Sequence, residues 1–493
     1  MKIALITLGC DKNTVDAEHL AGVLAQRGHA IAVEGAQASI DILAVLTCGF
    51  ICDARDQSLD VIRAYCETKK RLANPRRIVV AGCLAQRSAT ELAAQFPGVD
   101  AFAGVGCIEK LADLIEETGR GSRPDTSDTS DTSDTSDTSD TSDMSDAQDA
   151  GALISCPPPL MRAEHPLPRK RLDDLPYAFL KIADGCDHAC TFCAIPAMKG
   201  PYMSVPREIL LEEARGLISA GARELNLIAQ DLVPYGRDLY SDYALPDLLE
   251  DLCRIEGDFW IRLLYFYPAG LTPRFLEVFA REPKICKYLD IPLQHLDPAI
   301  LRAMRRPSGD ASVREQIERL RDAAPNVVLR TTMIVGFPGE TAQAFNRLLR
   351  GVEKIRFDWL GVFKYSLEEG TPARDMPGQV PARTALRREG RLLETQQRIT
   401  AGSLARQVGR RLRVLVESVS EDGREARGRS WREAPEVDGS VIVDLRGGAR
   451  KGLPRRGDFL DVEIVQARIY DLIGRPAKVR MMNDEQDSSR NGR

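Results

Sequence analysis

The chain has 493 residues, 43% hydrophobic and 28% charged, with a formal net charge of −5, the composition of a globular protein with room for about three domains. The slight acidity argues against coating nucleic acid through bulk charge and leaves room only for a local basic patch. Twelve cysteines over this length do not make a small disulfide scaffold, no run of about 18 apolar residues predicts a membrane span, and no cleavage signal follows Ile3–Leu8; a reduced, cytoplasmic protein with no membrane partner is expected.

Over the first 120 residues, short apolar runs alternate with amphipathic stretches. Ile3–Leu8, Ile42–Leu46 and Ile78–Ala81 read as buried strands. Val15–Arg27 closed by Gly28, a stretch running through about Arg71, and another from Ala89 read as helices. This order predicts a parallel sheet with helices on both faces. The three strands end alike, in Gly9-Cys10, Thr47-Cys48-Gly49 and Gly82-Cys83. The carboxyl ends of parallel strands lie along one edge, where open α/β sheets hold ligands, and glycine lets the backbone come close to what is held. Cys10, Cys48 and Cys83 are therefore expected to converge as three thiolates of an iron–sulfur cluster with one iron left open. The alternative is three separate buried thiols. Cys52, four residues after Cys48, is a further thiol nearby; it and Cys66, Cys107, Cys156, Cys253 and Cys286 show no metal-ligand spacing and read as packing thiols.

From Thr126 to Asp143 the triplet Thr-Ser-Asp repeats six times, and Ser145–Pro168 continues proline-rich. With no apolar residue in the repeat and carboxylates that repel one another, residues 121–172 read as a disordered acidic linker.

Strand–helix alternation returns over residues 173–398. The predicted strands are Phe179–Ile182, Glu224–Ile228, Trp260–Leu264, Tyr288–Ile291, Val327–Ile334 and Trp359–Tyr365, with helices such as Arg207–Ala220 and Ser312–Ala323 between them. Six such units predict a partial parallel barrel with its chemistry at the carboxyl rim. Just after the first strand comes Cys186-Asp187-His188-Ala189-Cys190-Thr191-Phe192-Cys193. Three thiolates again leave one iron of a cluster open. Zinc usually shows two Cys-x-x-Cys pairs or paired histidines, and no second pair follows here; zinc and inert thiols remain the alternatives. His188 is expected to face solvent.

Residues 399–481 change character. Leu412–Val419, Gly439–Leu445 and Phe459–Ala467 alternate as strands of a small antiparallel β-barrel, and 482–493 reads as a disordered tail. Arg406, Arg410, Arg411, Arg413, Arg424, Arg427 and Arg429 make this region arginine-rich, though acids are interspersed. They read either as a solvated surface or as a recognition module for RNA or protein.

The Cys-x3-Cys-x2-Cys spacing, with Phe192 before its last cysteine, resembles the radical S-adenosylmethionine (SAM) enzymes. The whole chain outside the linker resembles the methylthiotransferases of that superfamily. The resemblance implies an amino-terminal α/β domain with an auxiliary 4Fe–4S cluster on Cys10, Cys48 and Cys83. It implies a radical SAM partial barrel whose 4Fe–4S cluster on Cys186, Cys190 and Cys193 binds SAM, and a carboxyl-terminal TRAM barrel. Leu8-Gly9-Cys10-Asp11-Lys12-Asn13, Ala229-Gln230-Asp231 and Tyr288–His295 resemble the RimO-type branch. Met304-Arg305-Arg306-Pro307 and Ala434-Pro435-Glu436-Val437-Asp438-Gly439 do so too. That branch modifies an aspartate of small-subunit ribosomal protein twelve, whereas Ile334–Glu340 is shared with the branch that modifies an isopentenylated adenosine of transfer RNA. The resemblance implies that a 5′-deoxyadenosyl radical removes hydrogen from the β-carbon of the aspartate and that the auxiliary cluster delivers a methylated sulfur. It also implies roles at the SAM pocket for Phe192 and Gln230, an electron donor such as flavodoxin or ferredoxin, and a monomer. The alternatives are the transfer-RNA enzyme and a non-catalytic iron–sulfur carrier or sensor.

Overall fold

The structure, a computed structural model, describes residues 1–32, 39–120, 152–157, 165–306, 310–446 and 453–477. The Thr-Ser-Asp repeat and the tail expected at 482–493 lie outside the described residues.

The chain divides into two compact units, Met1–Gln396 and Gln397–Arg493. The first unit opens with β1 (Lys2–Thr7), α1 (Asp11–Gln26), β2 (Ala30–Ala32), β3 (Ile42–Thr47), α2 (Cys52–Leu72) and β4 (Arg77–Gly82). It continues with α3 (Cys83–Gln95), β5 (Ala101–Ala103), α4 (Ile108–Arg120) and β6 (Leu153–Ser155). The six strands form one parallel sheet in the order β2-β1-β3-β4-β5-β6. β3 is buried along its whole length, which is why it reads as an unbroken apolar run. Core packs on both faces, around Leu20, Leu24 and Ile115 on one and around Ile62, Leu92 and Phe96 on the other.

The linker expectation needs correcting at its far end. Leu153–Ser155 adds β6 to the sheet. Leu167 and Leu172 pack against the first core, and Lys170 N–H donates to the Glu18 carbonyl at 3.0 Å. These isolated leucines are half-buried against the core, and the backbone beside them pairs, although the composition averaged over a proline-rich stretch looks unable to fold.

The second sheet follows β7 (Tyr177–Lys181) and a small hairpin of β8 (Ala183–Asp184) and β9 (Met203–Ser204). β10 (Glu224–Ile228), β11 (Trp260–Leu263), β12 (Ile285–Asp290), β13 (Val328–Val335) and β14 (Trp359–Lys364) complete it. The order is β14-β13-β12-β11-β10-β7, all parallel. With β7 and β14 as free edges it is the expected partial barrel. Helices between the strands, such as Arg207–Ser219 and Ala342–Ile355, cover it.

The second unit holds β15 (Arg411–Val419), β16 (Glu425–Ser430), β17 (Val441–Asp444), β18 (Phe459–Ala467) and β19 (Leu472–Pro476). They close into a barrel in the order β15-β16-β17-β19-β18. β16 and β19 were not legible in the sequence, being short and carrying arginine and glycine. Arg429 does not belong to a solvated face: it is buried, donates to Glu417 at 2.6 Å and to the Glu433 carbonyl at 3.0 Å.

Candidate active site

The first cysteine triad is built by the parallel register. Thr7 lies beside Leu46, and Thr47 beside Gly82, so the chain leaves β1, β3 and β4 on one edge. Cys10 caps the amino end of α1, Cys48 follows β3, and Cys83 opens α3. The glycines are steric requirements. Gly9 has φ +101°, and a Cβ on it would stand 2.6 Å from Cys48 Cβ and 3.1 Å from its Sγ. Gly82 also has φ +101°, with Thr47 O 2.8 Å from where a Cβ would be. Asn13 Nδ2 donates to Leu8 O at 2.7 Å and Thr47 O at 3.1 Å, tying two of the strand ends together. Ser58 Oγ brackets Cys48, accepting from its N–H and donating to its carbonyl, both at 3.2 Å. These fixing roles of Asn13 and Ser58 were not read from the sequence; the position of Asn13, one helical turn past Cys10, was the available signal.

The second triad sits in a loop after the β8 strand. Cys186 N–H donates to Gly200 O at 3.1 Å, and Cys193 N–H to Cys190 O at 3.2 Å. Thr191 Oγ1 donates to Ala303 O at 2.8 Å, and Asp187 Oδ1 accepts from Tyr202 N–H at 2.9 Å. His188 does not simply face solvent. Its Nε2 is 2.7 Å from Asp231 Oδ2, and its ring stacks on Tyr267 with centroids 4.2 Å apart. The buried Asp231 at the β10 rim pulls the imidazole inward.

Burial pushes the Cys83 thiol up to about 12 and the Cys48 thiol upward. It pushes Cys186 to about 11 and Cys193 to about 12. Free of metal, these thiols stay protonated at neutral pH, and iron must displace the protons. The residues fit iron–sulfur clusters: two all-thiol triads, the first cradled by glycines that leave no room for a Cβ. No three such side chains among the described residues are gathered as ligands of a metal ion. A cluster does not need that closeness, because each thiolate holds a different iron.

The two triads share one packed region. Cys83 is buried in a cluster with Val105, Ala194 and Met198, so the first triad packs on the residues just past Cys193. Across the same joint, Lys12 Nζ lies 3.1 Å from the Tyr265 ring centre, and Tyr265 Oη is 3.3 Å from Asp11 Oδ1. Phe192 packs beside Ile300, Met304 and Phe337. Gln230 Nε2 donates to Asp184 Oδ1 at 3.0 Å, and its Oε1 is buried without a partner among the described residues. Cys52 is half-buried, its backbone N–H donating to Glu368 at 3.0 Å. A cavity of about 500 Å³ lies beside the triads; Asp16, Lys181, Asp184 and Lys199 line it, and none of the six cysteines does.

The fold and the site together define a radical SAM protein: residues 180–351 match the radical SAM superfamily. Residues 2–104 match an uncharacterized protein family, UPF0004, and residues 408–476 the TRAM domain. The chain is 40% identical to the ribosomal protein uS12 methylthiotransferase RimO of Geobacter sulfurreducens, covering 96% of this chain and 98% of that one. It is 41% identical to the protein of the same name from Moorella thermoacetica, covering 96% and 99%. The chain belongs to the RimO family of methylthiotransferases. Among solved structures, it shares its fold with the radical SAM methyltransferase TsrM from Kitasatospora setae (TM-score 0.55, 13% identity, 76% of this chain and 77% of that one). The cobalamin-dependent radical enzyme OxsB is similar at TM-score 0.51 and 14% identity, covering 81% and 56%.

Proposed function

We propose that this chain adds a methylthio group to the β-carbon of an aspartate in small-subunit ribosomal protein twelve. The observation that carries the reading is the joint between the two triads, with Cys83 packed against Ala194 and Met198 directly after Cys193. Relatives that match over nearly the whole length and are named for this activity support it. Cys186, Cys190 and Cys193 hold the SAM-binding 4Fe–4S cluster, and Cys10, Cys48 and Cys83 hold the auxiliary one. When bound, SAM and the two clusters supply the radical that breaks an unactivated carbon–hydrogen bond and the sulfur that replaces the hydrogen.

The chain's own residues bind, orient and exclude. The buried seats of Cys48, Cys83 and Cys190 keep water from the sulfur atoms. Asn13 and the two glycines fix the strand ends on which the auxiliary cluster rests. The buried Gln230 Oε1 is an acceptor suited to an N–H or O–H of SAM, and Phe192, packed on Ile300, Met304 and Phe337, offers SAM an apolar wall. The reading includes a small electron-transfer protein such as flavodoxin or ferredoxin as donor, a monomer, and a cytoplasmic setting where ribosomal proteins are made. No described helix is long and apolar enough to cross a membrane.

The test is mass analysis of ribosomal protein twelve, and of transfer RNA, from cells with and without the gene. The expected result is a methylthio group on one aspartate, present only with the gene. An unmodified aspartate together with gene-dependent methylthioadenosine would overturn the reading.

A further inference from the structure

Four charges, Lys199 buried and the others half-buried, join the first sheet's α1 to the rim of the second sheet. Asp16 lies on α1, Lys181 ends β7, Asp184 ends β8, and Lys199 ends the helix Ile195–Lys199. They form a square of alternating sign. Lys181 Nζ donates to Asp16 Oδ1, and to Asp184 Oδ2 at 3.1 Å. Lys199 Nζ lies 3.2 Å from Asp184 Oδ2 and 3.7 Å from Asp16 Oδ2. Burial alone would favour neutral amines, but the two carboxylates outweigh it and hold both lysines charged.

The square does not end at Asp184. Its other oxygen, Oδ1, accepts from Gly185 N–H at 3.1 Å and from Gln230 Nε2 at 3.0 Å. Gln230 is thereby held with Oε1 buried and unpartnered among the described residues. A buried acceptor without a donor is destabilising, and a bound ligand that brings the donor relieves it. Every link from Asp16 to that oxygen is a hydrogen bond or ion pair between groups with fixed partners.

We infer that Asp16, although it belongs to the auxiliary-cluster domain, sets the affinity for SAM in the other domain through Lys181, Lys199, Asp184 and Gln230. This rests on the function proposed above. Without the Asp16 charge, two ammonium groups share one carboxylate. Asp184 is drawn toward them, and its hold on Gln230 weakens. By linkage, SAM bound at Gln230 would in turn tighten the contact between α1 and the rim of the second sheet. Asp16, Lys181, Lys199 and Asp184 are positioning residues; Gln230 is the one that touches SAM.

The experiment uses full-length protein with both clusters reconstituted anaerobically and reads SAM binding from the electron paramagnetic resonance of the reduced clusters. Asp16→Asn is expected to raise the SAM dissociation constant about tenfold with iron content unchanged, and Gln230→Leu to do the same. The double variant is expected to bind no worse than the weaker single one, because both changes break one chain. Wild-type affinity in Asp16→Asn, or losses that add in the double variant, would overturn the coupling. If Asp16→Asn loses iron, the charge-balanced pair Asp16→Asn with Lys181→Met decides: it leaves one ammonium on one carboxylate and is expected to bind SAM within about twofold of wild type, and a tenfold loss in the pair would overturn the coupling. Failure of the wild-type protein to bind SAM would sink the proposed function and this inference together; binding that ignores Asp16 sinks the inference alone.

Discussion

Arg169 grips Glu18 with two nitrogens: Nε at 2.8 Å and Nη2 at 2.5 Å, both to Oε2. Its Nη1 reaches Glu213 at 2.5 Å. Glu18 is on α1 and Glu213 on the helix Arg207–Ser219, so one guanidinium ties the first sheet's helix layer to the second's. Its side chain is 6% exposed and that of Glu18 2%, so water cannot substitute for it. Arg169→Met takes the shared partner from two buried carboxylates, leaving Glu18 to Arg171 and Glu213 to His19, and is expected to cost about 3 kcal/mol. The urea midpoint of the metal-free protein measures it, and adding Glu18→Gln should recover part of the loss.

The same joint carries an acid limit. Burial favours the neutral form of Glu213, but hydrogen bonds and charge from His19 and Arg169 outweigh it and hold the carboxyl down at about 2. A group depressed in the folded state stabilises above its unfolded value near 4.3 and loses that contribution as pH falls through its folded value. The contribution of Glu213 is about 3 kcal/mol and should disappear between about pH 5 and pH 2. Stability measured across that range should converge for wild type and Glu213→Gln at the acid end; a constant difference would refute the assignment.

Gly9 offers a separate handle on the auxiliary seat. Its φ of +101° and the 2.6 Å approach of Cys48 Cβ leave no room for a methyl group. Gly9→Ala should displace Cys48 and reduce iron from about eight to about four per chain, while the second triad keeps its cluster. Iron analysis of reconstituted protein checks this, and a full complement of iron in the variant would contradict the placement of the first cluster.

What the sequence made legible follows from range of interaction. Cys10, Cys48 and Cys83 could be brought to one edge on paper because a parallel register fixes strand ends without reference to side-chain packing. α3 was read only from Ala89, because Ser88 (φ −148°, ψ 34°) breaks the helix after its first turn and hides the periodicity of Cys83–Arg87. The strands β2, β5 and β6 have three residues each, too few to show alternation. Lys181 and Lys199 look like ordinary surface lysines in the chain. The shielding of Lys181 and the burial of Lys199 depend on Asp16 arriving on α1 from the first sheet's helix layer, and no local pattern records that. His188 was misjudged for the same reason, since Asp231 and Tyr267 reach it from the far ends of β10 and β11.

The two triads should fail in different ways. Cys190 is buried in the loop that Thr191 ties to Ala303 and Asp187 to Tyr202; Cys190→Ala removes a ligand from the cluster that binds SAM and is expected to abolish SAM cleavage. Cys48 sits at the end of β3, held by Ser58, and its loss leaves that loop intact. Cys48→Ala is therefore expected to cleave SAM while transferring no methylthio group. Assays of 5′-deoxyadenosine release and of the modified protein, run on the same samples, separate the two activities. Methylthiolation by Cys48→Ala would show that the first triad is not the source of the sulfur, even with all three of its strand ends on one edge.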